Sequence, residues 1–163
     1  MKISNKIVIL DRDGVINEDP LGYISSPHDW HAVPGSLEAI AKLNRAGWFV
    51  FVATNQSGIG RGYYNLEAMH EIHEKMLREL AIVGGTIQEI FFCPHHPDEN
   101  CDCRKPAPGL LYQMRDKHHV DLSNAFFIGD KLSDIEAARA VGCHPILVST
   151  GQKTGFPRRL MFG

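Results

Sequence analysis

Two groups of side chains in this sequence have the types and spacing for chemistry. Asp11-Arg12-Asp13-Gly14-Val15 sets two carboxylates two residues apart. Such oxygens suit a hard divalent cation, and one carboxylate of a pair can attack phosphorus while the other handles a proton. Taken alone, Asp-x-Asp-Gly is also the composition of an ordinary solvated turn. The second group is Phe92-Cys93-Pro94-His95-His96-Pro97 with Cys101-Asp102-Cys103-Arg104-Lys105-Pro106. Three thiols and one imidazole, from His95 or His96, suit zinc, which takes four such ligands tetrahedrally. Lys105 follows directly, so the loop is expected to prop up an anion-binding site.

Two weaker motifs join them. Thr54-Asn55-Gln56-Ser57-Gly58 is a hydroxyl- and amide-rich turn whose backbone N–H groups can cradle a phosphate. Gly129-Asp130-Lys131-Leu132-Ser133-Asp134 carries an acid, a lysine beside it, and a second acid one helical turn on. Lys131 reads equally as a solvated lysine at a helix start or as a substrate contact. Asp134 is expected to orient Lys131 or metal-bound water, and Arg12 to point away as a structural or surface charge.

The elements that must position these residues alternate. Ile7 to Leu10, Trp48 to Ala53, Ile87 to Phe92, Ala125 to Ile128 and Pro145 to Val148 read as short apolar strands. Helical periodicity appears from Pro34-Gly35 to Gly47, from Leu66 to Val83, from Gly109 to Lys117 and from Ser133 to Val141. In the second of these, Met69, Ile72, Met76, Leu77 and Leu80 are expected inward, with His70 and His73 on the surface. Strands alternating with helices imply a mostly parallel sheet covered on both faces. Asp11, Thr54, the cysteine loop and Asp130 all follow strand ends, along the edge where open α/β sheets bind ligands.

The chain has 163 residues, 44% of them hydrophobic, enough for one domain spanning 1–163 with a full core. A formal charge of −2 offers no general attraction for nucleic acid or an anionic membrane. No stretch reads as a signal peptide or a membrane span, so a cytoplasmic protein is expected. Three of the four cysteines lie close together, which in a reducing compartment favours a metal over disulfides. Cys143 reads as a small buried residue after a helix.

In order, Asp-x-Asp-Gly, Thr-Asn, Lys-Pro and Gly-Asp-x-x-x-Asp resemble the four signature motifs of the haloacid dehalogenase (HAD) superfamily of phosphohydrolases, over about Lys6 to Val148. The resemblance implies a Rossmann-like fold and a phosphoaspartyl mechanism. Asp11 would be the nucleophile and Asp13 the general acid, then the base. Mg²⁺ would be held by the Asp11 carboxylate, the Asp13 backbone carbonyl and Asp130. Thr54 and Lys105 would neutralise the transferring phosphoryl oxygens, as phosphoryl transfer requires.

The cysteine loop, about 93–103, resembles that of a capless, zinc-containing branch holding heptose-bisphosphate and histidinol-phosphate phosphatases. Matching positions makes Cys93, His95, Cys101 and Cys103 the zinc ligands. Thr54 to Gly62, with Ser57 and Arg61, resembles the heptose members, as does Asp19-Pro20-Leu21-Gly22-Tyr23 with one extra residue. The implied reaction removes the C7 phosphate of D-glycero-D-manno-heptose 1,7-bisphosphate, feeding ADP- or GDP-heptose synthesis. Substrate contacts would come from Asp19, Gly22, Tyr23, Asn55, Gln56, Ser57, Arg61, Arg104 and Lys131, with Arg104 meeting the second phosphate. Histidinol phosphate is the alternative substrate. A polynucleotide 3′-phosphatase would need a groove of cations, and a non-catalytic zinc-loop interaction module would not need an intact acid set. The expected partner is one small phosphorylated sugar, with no nucleic acid, no membrane, and a monomeric chain. The chain stops soon after the fifth strand, where the family usually continues with a further strand and helix.

Overall fold

The computed structural model describes residues 6–20 and 22–149, with the backbone of 161–162. Most of the segment after the fifth strand therefore lies outside the described residues. In chain order the elements are β1 (Ile7–Leu10), α1 (Ser36–Arg45), β2 (Phe49–Asn55), α2 (Ser57–Gly60), α3 (Leu66–Ile82), β3 (Glu89–Cys93), α4 (Gly109–His118), β4 (Phe126–Gly129), α5 (Leu132–Ala140), β5 (His144–Leu147) and β6 (Met161–Phe162). The strands form one sheet in the order β3-β2-β1-β4-β5-β6. Its first five strands are parallel, and β6 adds antiparallel to β5, with Ile146 opposite Phe162.

The sequence makes the sheet two-sided. Alternate residues of β1 and β2 enter opposite cores, as the two-residue strand period dictates. Ile7, Ile9, Phe51 and Ala53 pack with Leu110, Met114 and Ala138 under α4 and α5. Val8, Leu10, Val50 and Val52 pack with Ile40, Ile72, Met76 and Leu80 under α1 and α3. Each large aliphatic side chain so buried contributes roughly 1.5–3 kcal/mol.

The five expected strands and four long helices form within a residue or two of their read bounds. The short helix α2 and strand β6 were not read from the sequence. Two expectations for α3 fail. Leu77 is 39% exposed, because it sits one helical step, about 100°, around from the buried Met76. His73 is buried rather than superficial, whereas His70 is exposed. No described helix is long and apolar enough to cross a membrane.

Candidate active site

β1 and β4 are neighbours in the sheet, and the chain order reverses between them: β2 and β3 run off one side, β4 and β5 off the other. Such a reversal opens a crevice at the carboxyl ends of the strands. Asp11 leaves β1 there, its N–H still donating to the Ile128 carbonyl of β4 at 3.0 Å, and Asp130 leaves β4. Lys105 reaches the same point from the loop before α4. Its ammonium lies 2.6 Å from Asp134 Oδ1 and 3.1 Å from Asp11 Oδ1, and donates to the Ala53 carbonyl at 2.8 Å. All three groups are buried, so removing the lysine would strand two carboxylates in low dielectric.

Asp134 therefore does not hold the Lys131 side chain. One of its oxygens takes Lys105, and the other accepts the backbone N–H groups of Asp130 and Lys131 at 3.1 and 3.2 Å. The Lys131 ammonium instead approaches Asp130 and Asp19, at 3.4 and 3.5 Å.

Oxygens of Asp11, Asp130 and Asp134 lie within 4.8 Å of one another. Burial pushes the Asp11 carboxyl up to about 8, with Asp134, Asp130 and Asp13 adding and Lys105 opposing. Burial likewise raises Asp130. A cluster of hard oxygen donors carrying more negative charge than its lysine offsets suits a small divalent cation. The backbone makes room for it at Gly14, whose φ is +86° and where an added Cβ would sit 2.0 Å from Asp130 Oδ2. A side chain there would meet both left-handed strain and the carboxylate.

Asp13 stands in a different cradle. Its Oδ1 accepts from Arg12 Nε at 2.9 Å and Asn17 Nδ2 at 3.0 Å, and Oδ2 lies 3.4 Å from Gln56 Nε2. Burial would raise Asp13, but the Arg12 guanidinium and the Asn17 amide outweigh it and hold the carboxyl below its usual range. Arg12 is fully buried and turned toward Asp13. Of the two expectations, a structural or a surface charge pointing away, the surface charge and the outward direction are ruled out, because a guanidinium with no solvent must find its partners inside. Gln56 is set by Tyr64, whose hydroxyl donates to Oε1 at 2.5 Å, leaving Nε2 for Thr54 Oγ1 at 2.9 Å and for Asp13.

These groups wall a cavity of about 530 Å³. Asp11, Asp13 and Lys105 line it, with Asn55, Gln56 and Ser57 from the end of β2. Asp19, Gly22 and Tyr23 come from the loop after β1, and Arg104 and Lys131 add two further cations. Two expected contacts stand apart. Thr54 is wholly buried behind Gln56, and Arg61 is exposed at the end of α2, outside the cavity lining.

The cysteine loop forms the second donor cluster. Cys93, Cys101 and Cys103 Sγ and His95 Nδ1 lie within 4.8 Å of one another. Sulfur separations are 2.9, 3.5 and 3.7 Å, and the imidazole nitrogen is 3.2 and 3.4 Å from Cys103 and Cys93. A tetrahedron with bonds of about 2.3 Å to sulfur has edges near 3.8 Å, so the four donors fit a zinc-sized ion after small adjustments. His96 is not in the cluster. Its Nδ1 accepts from Asp98 N at 3.0 Å and caps the turn Pro97–Glu99. Burial raises Cys93; burial also acts to raise Cys101, but its Cys93 bond and the N–H groups of Arg104 and Cys103 together outweigh it and lower that thiol to about 7. The fourth cysteine, Cys143, is buried on α5's flank, and that burial raises it to about 12.

This loop is stitched to the cavity. Gln56 N donates to the Cys93 carbonyl and Gly60 N to that of Pro94, both at 2.8 Å. A Cβ on Gly60 would lie 2.3 Å from His96 N, so the two backbones touch. Asn55 clamps the Lys105 backbone at both ends, donating to its carbonyl at 3.1 Å and accepting its N–H at 3.0 Å.

With this geometry the chain can be set beside known proteins. It is 52% identical over 150 residues to the D-glycero-beta-D-manno-heptose-1,7-bisphosphate 7-phosphatase of Pseudomonas aeruginosa, covering 92% of this chain and 84% of that protein. The chain belongs to this family of HAD phosphohydrolases. Residues 102–157 match the HAD-hydrolase-like family on their own. The same-named enzyme of Vibrio cholerae is 42% identical over 153 residues, with 89% of this chain and 82% of that one covered. Among solved structures, D,D-heptose 1,7-bisphosphate phosphatase from Bordetella bronchiseptica, complexed with magnesium and phosphate, superposes with a TM-score of 0.88 at 47% identity. That likeness covers 93% of this chain and 88% of the Bordetella chain.

The phosphatase thus gathers its sequence motifs at one sheet edge, and adds residues that no motif announced. Tyr64 lines the cavity and sets Gln56, but a tyrosine before a helix carries no signal. Ile24 also lines it unannounced, and Ser133 does so from within the Gly129–Asp134 motif, where it was not singled out. Asp134 had a signal in its four-residue spacing from Asp130, but its partner, Lys105, comes from a distant loop.

Proposed function

We propose that the chain hydrolyses the C7 phosphate of D-glycero-D-manno-heptose 1,7-bisphosphate, supplying precursors of nucleotide-activated heptoses. One observation carries the chemistry: a buried aspartate with a lysine at 3.1 Å and a second, exposed-edge aspartate two residues on share one polar cavity. The substrate rests on near-complete coverage by relatives that bear that activity in their names.

In this reading Asp11 attacks phosphorus in line, and the bond from phosphorus to the sugar oxygen breaks. Asp13 gives its proton to that oxygen. Asp13 then takes a proton from water, whose oxygen attacks the aspartyl phosphate, releasing inorganic phosphate and restoring Asp11. Lys105 balances charge on the phosphoryl oxygens, and Asp134 and the Ala53 carbonyl hold it in place. Thr54, buried behind the cavity wall, is assigned an indirect part: its hydroxyl accepts from Gln56 Nε2 and helps fix that amide. Magnesium, held by Asp11, the Asp13 carbonyl and Asp130, would supply charge neutralisation and orientation of the phosphoryl group. The Bordetella relative's magnesium and phosphate support that assignment.

Arg104 and Lys131 are assigned to the substrate's other phosphate, with Asp19, Gly22, Tyr23, Asn55, Gln56 and Ser57 forming the wall around the sugar. Cys93, His95, Cys101 and Cys103 are assigned to a structural zinc, since four protein donors leave no position for substrate. Four unpaired cysteines fit a reducing, cytosolic setting, and the shared sheet fits one domain.

The test is phosphate release from the 1α and 1β anomers of heptose 1,7-bisphosphate, beside histidinol phosphate. A higher kcat/KM on either bisphosphate is expected. Faster turnover of histidinol phosphate would overturn the substrate assignment.

A further inference from the structure

We propose that Arg12 and His73 are positioning residues that bracket Asp13 from beneath the cavity and leave Oδ2 as the oxygen presented to the substrate. The inference rests on the reading of Asp13 as the acid and base.

Arg12 is fully buried, and neither it nor His73 lines the cavity. Its Nε donates to Asp13 Oδ1 at 2.9 Å, and Nη2 lies 2.8 Å from the same oxygen as an ion-pair contact without hydrogen-bond alignment. Asn17 Nδ2 completes the set at 3.0 Å, anchored in turn on the Glu18 carbonyl at 3.0 Å. An oxygen already accepting from a guanidinium and an amide has no lone pair well placed for a proton of its own. Oδ2 is therefore the oxygen left to exchange a proton with the substrate. That oxygen's partner among the described residues is Gln56 Nε2, at 3.4 Å, and Gln56 itself lines the cavity.

His73 closes the bracket from α3. Its Nε2 lies 3.2 Å from Arg12 Nη1. Arginine can only donate, so Nε2 must accept and the ring proton must be on Nδ1. Burial first, then the neighbouring guanidinium, lower the imidazole to about 3, which keeps it a neutral acceptor. Without that acceptor, Nη1 would be buried and unpaired. The guanidinium would then turn to seek another partner, and Asp13 would lose the fork that fixes its plane.

The experiment compares His73→Leu, which removes the acceptor, with His73→Gln, whose amide oxygen can replace Nε2. Both are assayed on heptose bisphosphate below their melting temperatures, beside Asp13→Asn. His73→Leu should lower kcat about tenfold with KM within about twofold, since only the orientation of the acid changes. His73→Gln should recover to within about threefold of the parent. A role confined to stability would lower the melting temperature of both variants and leave kcat alone, and that result would overturn the bracket. Nitrogen-15 NMR of the unaltered protein tests it without any variant: the neutral Nδ1–H tautomer of His73 is required, and the Nε2–H tautomer refutes it. If Asp13→Asn is inactive while His73→Leu is unaffected, the bracket alone fails. If Asp13→Asn retains full kcat, the acid–base reading fails and the bracket falls with it.

Discussion

Two clusters of metal-type donors stand at the same edge of this sheet, and they are built to opposite plans. The cysteine cluster has three sulfurs and a nitrogen within 4.8 Å of one another. The carboxylate cluster has oxygens from Asp11, Asp130 and Asp134, a lysine wedged among them, and an open wall of about 530 Å³. A closed set of soft donors can only hold something. An open set of hard donors with surplus negative charge can hold an ion and still admit an anion to it. In the proposed function the first therefore organises backbone, and the second reacts.

The largest effect should come from Asp11→Asn, which breaks the carboxylate cluster at its proposed nucleophile. Turnover should fall by on the order of 10³-fold or more, read as phosphate release. Folding should survive, because the change removes one charge from a cluster with too many of that sign and leaves Lys105 on Asp134. Substantial residual turnover would contradict a covalent mechanism.

Lys105→Met strikes the same cluster from the opposite side. Catalysis should drop by roughly 10²–10³-fold, as for loss of a preorganised cationic group. Here stability should fall too, by about 3–5 kcal/mol, because Asp11 and Asp134 would be left buried without their cation. Chemical denaturation of the two variants separates them: Asp11→Asn near the parent, Lys105→Met well below it.

Metal removal tests the contrast directly. Withdrawing magnesium should abolish turnover reversibly and barely move the melting temperature. Cys101→Ser leaves three of the four proposed zinc ligands and should cost a few kcal/mol of folding free energy, lowering the melting temperature by roughly 5–10 °C. Its catalytic deficit should follow from the strand-to-loop stitching, since Gln56, Gly60 and the Cys93–Pro94 carbonyls share hydrogen bonds. Equal melting temperatures for Cys101→Ser and the parent would remove the scaffold role.

Much of this contrast was legible in the sequence, because both clusters are local in the chain or sit at strand ends. Strand ends can be read from apolar runs of four or five residues, and the sheet then brings Asp11 and Asp130 together without further information. What could not be read is long-range and side-chain based. Arg12 sits between two acids and looks like a surface charge until α3 presents His73 to it. Asp134 looks like a partner for the lysine three residues before it until the loop before α4 delivers a different one. Strand β6 is two residues long, too short for periodicity to register. In each case the deciding partner is set by packing between elements, which spacing within one element does not encode.

The smallest expected effect is also the sharpest check on reading residues by position in a motif. Arg61 and Arg104 are both arginines beside the cavity's sequence motifs, yet only Arg104 lines it, while Arg61 is exposed where α2 ends. Arg104→Ala should raise KM about tenfold, the usual cost of losing a charge-assisted contact to a phosphate. Arg61→Ala should leave KM within about twofold, since an exposed guanidinium contributes little when solvent competes for it. Steady-state kinetics on the bisphosphate and on a sugar carrying the C7 phosphate alone discriminate further. The Arg104→Ala deficit should shrink on the monophosphate, where its anionic partner is missing. If Arg61→Ala instead carries the larger KM effect, α2 must close over the bound sugar, and the cavity wall would have to be redrawn to include it.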